Sequence, residues 1–248
     1  MENKFNLPTE TVELPSKGLL YPKDSPLASG TVEMKYMTAR EEDILTNINY
    51  IKQGIVIDKL LQSLIITPID YNQLLVGDKN AIMVAARILA YGKDYEIEYK
   101  GQSITVDLSE LQNKELEESK YTKGSNEFTF QLPHTNNVIT FKVLSHGDEK
   151  LIDQEVKSLQ KIQKDNLTEV TTRLKRMITS VNGLSEAKDI REFVDKYLLS
   201  KDARALREEY NKVSPDVELT FTYMDESGDE EVADLPIGIS FFWPDSKQ

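Results

Sequence analysis

The stretch LPSKGLLYP, residues 14–22, decides how the chain is read. Leu14, Leu19, Leu20 and Tyr21 are large and apolar, and Pro15, Gly18 and Pro22 interrupt them. The segment is too apolar for a solvated tail. It is also too broken for a helix or a central strand, because proline fixes φ and removes a backbone donor. A segment of this kind needs a surface to lie against, supplied by this chain or by a neighbour. Pro8 and Pro26 continue the punctuation, so residues 1–29 read as an extended arm.

Downstream of the arm, GTVEMKYM alternates from Gly30, with Val32, Met34 and Tyr36 on one face, which predicts a strand. In TAREEDILTNINYIKQG, Thr38 and Glu41 form a capping-box pattern, and Ile44, Leu45, Ile48 and Ile51 recur at helical spacing up to Gly54. A second helix covers IVIDKLLQSLII and ends before Pro68. A third begins at Asp78, read as its N-cap, and closes at Gly92. The period then changes. Residues 95–108 predict a hairpin turning at Lys100-Gly101, and residues 127–144 a second one turning at 134–137. The polar run between them, SELQNKELEESKYTKGSN, reads as a short helix and a loop.

Helical spacing returns over roughly 148–164, 167–181 and 186–212, the last breaking near Ser200. Pro215 ends that region, and Val217, Leu219, Phe221 and Tyr223 open a closing hairpin. The resulting units are an arm (1–29), a strand with helices (30–92), a β region (93–144), a helical region (145–213) and a C-terminal hairpin (214–248). Segregated runs of helix and strand predict an α+β fold: helical bundle segments interleaved with antiparallel β-hairpins, preceded by the arm.

Composition narrows the function. The chain has 248 residues and a net charge of −12, which argues against non-specific binding to nucleic acid or anionic lipid. It has no cysteine, so disulfides, thiolate chemistry and cysteine zinc sites are excluded. No apolar run approaches the ~20 residues that span a bilayer, and MENKFNLPTE has no signal-peptide core, so the expected setting is a cytoplasm.

No motif points to catalysis. Ser145, His146 and Asp148 are the residue types of a triad, but neighbours along a chain rarely make its geometry, and a polar loop before a helix is the plainer reading. Nothing matches a phosphate-binding loop, a nucleophile elbow or a zinc-protease helix. DESGDEE, residues 225–231, lacks EF-hand spacing and reads as a solvated hairpin tip. RLKRM, residues 173–177, is the one tight basic cluster and suits the wet face of an amphipathic helix or a meeting with an acidic partner. An unrecognised metal-dependent hydrolase using the many carboxylates stays as the enzymatic alternative. No catalytic, cofactor-binding or metal-binding residue is expected, and no cofactor.

Surfaces for contact remain. Phe241, Phe242 and Trp243 stand in a row near the end of the chain. On a strand, adjacent side chains face opposite ways, so either this chain buries both faces or one face is a docking patch. Leu14, Leu19, Leu20, Tyr21, Phe241, Phe242 and Trp243 are therefore the candidate interface residues.

The order of LPSKGLLYP, GTVEMKYMTAREEDIL, GIVIDKLL, VGDKNAIMVAARILAYG and DLPIGISFFWPD resembles the T4-type bacteriophage baseplate protein family. These are tail proteins of contractile phages linked to the baseplate hub and its assembly. The resemblance spans most of residues 14–108 and returns at 215–245. It implies a non-enzymatic role through docking to other baseplate or hub proteins, with no catalytic residues to transfer. It also implies a place in the virion tail baseplate, in the host cytoplasm during assembly, and a homo-oligomer within a symmetric baseplate. Two roles fit: a permanent hub subunit, or an assembly chaperone absent from the mature virion. Many members of the family carry cysteine pairs, like small metal ribbons, in the hairpin after the AYG helix and in the C-terminal hairpin. This chain keeps both hairpin patterns without the ligands.

Overall fold

A computed structural model of the chain describes residues 7–162, 169–225 and 227–242. The arm supplies the first strand, β1 (Thr9–Glu13), which pairs antiparallel with β2 (Thr31–Lys35), Val12 opposite Val32. The opening stretch is the excursion between them, and it folds onto the body. Leu14 N–H closes it by donating to Gly30 O at 2.8 Å. Lys17, Gly18 and Gly30 all have positive φ. A Cβ on Gly18 would lie 2.5 Å from Ala28 O, so the two limbs of the excursion approach closely only because glycine stands there. Its apolar side chains enter the core: Leu14 and Leu20 are 2% exposed and Tyr21 3%.

Four helices follow. The helix expected over residues 38–53 is two, α1 (Ala39–Leu45) and α2 (Ile48–Gln53). The break has a local cause: Asn47 Oδ1 accepts from Asn49 and Tyr50 N–H and starts a new helix. The capping box at Thr38 forms, with the Glu41 carboxylate accepting from Thr38 N–H at 3.0 Å and Thr38 Oγ1 at 2.6 Å. Glu41 is fully buried and also accepts from Lys35 Nζ and Ser63 Oγ, each at 2.8 Å, tying β2 to α1 and to α3 (Val56–Leu64). Burial pushes the Glu41 carboxyl up, but the hydrogen bonds from Lys35, Thr38 and Ser63 outweigh it and hold it at about 2.

Helix α4 (Val76–Tyr91) begins two residues before the expected Asp78 cap. Asp78 thus lies in the first turn, fully buried. Ile82 and Ala86 make α4 the centre of the core. Gly77 is required: a Cβ there would meet Pro215 O at 1.8 Å, where the chain after the last helix crosses α4.

The two middle hairpins are present. Strands β3 (Asp94–Tyr99) and β4 (Gln102–Asp107) turn through Lys100 and Gly101, both at positive φ, as a two-residue hairpin of primed type demands. Strands β5 (Phe128–Gln131) and β6 (Val138–Phe141) pair as expected, but a third strand joins them. The helix predicted over 167–181 is α6 (Glu169–Met177) only as far as Met177; residues 178–181 form β7 (Ile178–Val181) on the edge of β6. The β-branched Ile178, Thr179 and Val181 favour a strand once an unpaired edge lies beside them. The polar run before the second hairpin holds two 3-10 turns, Leu108–Glu110 and Glu118–Lys120, in place of the expected helix.

The remaining helices are α5 (His146–Ile162), α7 (Ala187–Lys196) and α8 (Ser200–Val213), with the expected break before Ser200. Strands β8 (Thr220–Met224) and β9 (Glu230–Asp234) form the last hairpin, and a 3-10 turn, Ile239–Phe242, closes the described chain. The fold is α+β, and the described residues form four small antiparallel sheets among the helices.

Candidate docking surfaces

On its buried side the opening stretch is held by one carboxylate, while Lys17 pairs with Glu118 at the surface. Asp78 Oδ1 accepts from Ser16 N–H at 2.9 Å, and Asp78 Oδ2 accepts from Ser16 Oγ at 2.7 Å and Tyr21 OH at 2.6 Å. The Tyr21 oxygen in turn accepts from Leu75 N–H at 2.9 Å. Burial pushes the Asp78 carboxyl up, against the hydrogen bonds from Tyr21 and Ser16 that favour its charged form. No cation pairs with Asp78 among the described residues; its support is hydrogen bonds at the first turn of α4, where the helix dipole favours negative charge. Leu14, Leu20 and Tyr21 are core residues of this chain, and Leu19 is half-buried. The surface under the stretch is therefore supplied by this chain, with Ser16 and Tyr21 reaching Asp78 of α4.

The other end is held by rings. Phe241 and Phe242 are both fully buried. On a strand they would face opposite ways, but they lie in a 3-10 turn, where two adjacent side chains can enter one core. Their rings meet edge to face at 5.5 Å, and Phe241 meets Tyr95 of β3 at 4.9 Å. Trp243, the third residue of that expected patch, lies outside the described residues.

The hairpins β3–β4 and β8–β9 are joined in the same manner. Tyr99 packs edge to face on Phe221 at 5.2 Å and on Tyr223 at 4.9 Å. Lys100 Nζ covers the Tyr223 ring at 4.7 Å and donates to its hydroxyl at 2.6 Å, while that hydroxyl donates to Glu231. Aromatic and cation–π contacts thus stand where the resemblance would put metal ribbons, and the residues present do not fit such a metal. Among the described residues, no three His, Asp or Glu side chains gather closely enough to hold a metal ion.

The residues that suggested chemistry serve local structure. Asp148 accepts from Ser145 N–H and Oγ, each at 3.1 Å, and pairs with Lys142 at 2.8 Å. His146 turns elsewhere: its Nε2 lies 3.4 Å from Asp58, and Lys79 Nζ lies 3.3 Å from its Nδ1. Burial and the Lys79 charge push the His146 pKa down, so the ring is neutral near pH 7. A Ser145–His146–Asp148 triad does not assemble. His134 N–H and Thr135 donate to Asp202, which ties the β5–β6 turn to α8. In the acidic tip, Asp225 accepts from Ser227 and Asp229 N–H, an ordinary turn-forming use of aspartate. Within the basic cluster, Arg173 pairs with Glu149 and Lys175 with Asp195.

Exposed apolar side chains mark the outside. Met224 and Val232 are 55% and 68% exposed on the outer face of β8–β9, Met224 lying diagonal to Val232 across the pair. Tyr197 and Leu199 are exposed at the turn between α7 and α8. The sequence signal for Met224 was its parity, opposite to Phe221 and Tyr223. No comparable signal marked Ser16 and Asp78, which lie 62 positions apart. No helix among the described residues is long and apolar enough to cross a membrane.

A family model described as T4 bacteriophage base plate protein matches residues 8–243. The chain belongs to that family. No curated protein and no solved structure gives a significant match. As a baseplate protein it belongs with the structural proteins of a phage tail, and other phage structural proteins are its natural contacts. Its matched region includes both the arm excursion from Pro8 and the buried phenylalanines.

Proposed function

We propose that this baseplate protein is a non-enzymatic part of the hub region of a contractile tail and works by docking to its neighbours. One observation carries the reading: the baseplate family match covers residues 8–243, which takes in every described residue except Leu7. The braced hairpins support it, since β8–β9 presents Met224 and Val232 on a mount fixed by Tyr99, Phe221 and Tyr223. A rigid mount lowers the entropy lost when a partner binds. The arm contributes from within, holding the body in the shape that neighbours meet.

The test is a count of this protein in purified tails and in infected-cell lysate by mass spectrometry. A fixed small copy number in tails is expected. Abundance in lysate with none in tails would make it an assembly chaperone whose contacts are reversible. Deleting residues 1–29 should lower both thermal stability and tail assembly. Unchanged stability and assembly would end any role for the arm.

A further inference from the structure

A groove of about 330 Å³ opens between β7 and helices α5, α6 and α7. Lys142, Lys175, Arg176 and Arg191 line it, against one lining carboxylate, Glu155. Lys142 and Lys175 are neutralised by Asp148 and Asp195. Arg176 and Arg191 have no ion-pair partner among the described residues, in a chain whose net charge is −12. A further lining residue adds a different kind of vacancy. Thr179 is the extra residue where the β6–β7 register shifts, and its buried hydroxyl has no hydrogen-bond partner among the described residues. Bulges re-aim side chains, and a buried hydroxyl left unpaired is costly. Two free guanidiniums and an unpaired hydroxyl together suit a carboxylate-bearing ligand.

The same chain displays such a ligand. DESGDEE, residues 225–231, carries five carboxylates in sequence, and its described residues Asp225, Asp229 and Glu230 lie at the tip of β8–β9. Asp229 and Glu230 are exposed and pair with no cation among the described residues. We infer that the groove of one copy receives the acidic β8–β9 tip of a second copy, Arg176 and Arg191 taking the carboxylates of Asp229 and Glu230. The groove holds one or two side chains and no folded element, which a hairpin tip satisfies. The contact is head-to-tail, so it generates a ring if it closes and an open chain if it does not. It concerns the purified chain alone and does not depend on which tail proteins surround it.

Sedimentation velocity of the full chain over rising concentration, in low and in high salt, tests it. In low salt the mean mass should rise with concentration above that of one chain, and added salt should reverse the rise. Arg176→Glu with Arg191→Glu should remain monomeric, and so should Asp229→Lys with Glu230→Lys. An equimolar mixture of those two variants should associate again, since each reversed surface then meets its complement. A wild-type chain that stays monomeric in low salt, or one whose association survives both reversals, would overturn the inference.

Discussion

The two ends of this chain are anchored by different physics. Near the N-terminus one carboxylate, Asp78, takes three donors from the opening stretch, and Tyr21 passes the contact on to Leu75. Near the C-terminus Phe241, Phe242 and Tyr95 hold by ring packing without a shared polar atom. Directional bonds in a buried site fix one geometry and fail together when the central atom is lost. Ring packing is spread over many weak contacts and degrades by degrees. The front end is therefore a clip and the back end a plug.

The largest expected effect breaks the clip. Asp78→Ala strands Ser16 N–H, Ser16 Oγ and Tyr21 OH in the core and should cost on the order of 4 kcal/mol. Chemical denaturation measures the loss, and limited proteolysis should then cut within residues 14–30. Asp78→Asn should recover only part of it, because a single amide oxygen replaces two acceptors.

Next is Glu41, a second buried carboxylate with several donors. Its folded-state pKa of about 2 lies below the ordinary glutamate value. A depressed acid stabilises the fold above its unfolded pKa, and that contribution is lost as pH falls through the folded value. Glu41→Gln should cost about 2 kcal/mol at neutral pH and should flatten the decline of Tm between roughly pH 5 and pH 2. Asp78 has the opposite sign. Its folded pKa is raised, so its protonation favours the native state, and its contribution falls as pH rises from the unfolded value through the folded one. Acid should therefore loosen the Glu41 junction before the arm. Hydrogen exchange at mildly acidic pH reads that order directly.

A smaller effect sharpens the plug. Phe241→Leu keeps an apolar side chain in place and should cost about 1.5 kcal/mol, with no new proteolytic site. The smallest lies on the surface. Met224→Asp should change stability by less than about 0.5 kcal/mol, because the side chain is exposed. It should weaken recovery of this protein with tail particles if the outer face of β8–β9 docks.

The contrast between clip and plug also separates what the sequence reveals from what it conceals. Local chemistry was legible. The Thr38–Glu41 box, the Lys100-Gly101 turn and the break before Ser200 each follow from a few neighbouring residues, and each is present. Distant pairing was not. An aspartate near a helix start reads as a cap, and only the arrival of Ser16 and Tyr21 makes Asp78 a buried acceptor. Ile178–Val181 continued a helical period until the edge of β6 offered a ladder. Phe241 and Phe242 were read with strand parity, and a 3-10 turn put both inside. The apolar, proline-broken composition of residues 14–22 correctly demanded a surface. Whose surface it was depended on a carboxylate 62 positions away.

The central claim is that the opening stretch belongs to the body of this protein in isolation. Hydrogen exchange of the purified chain, followed by mass spectrometry over residues 14–30, tests it most directly. Leu14 N–H donates to Gly30 O and Ser16 N–H to Asp78, so the account predicts strong protection there without any partner, lost in Asp78→Ala. Exchange of that stretch at the rate of an unfolded peptide would contradict the account and return the segment to a docking arm that orders only on a neighbour.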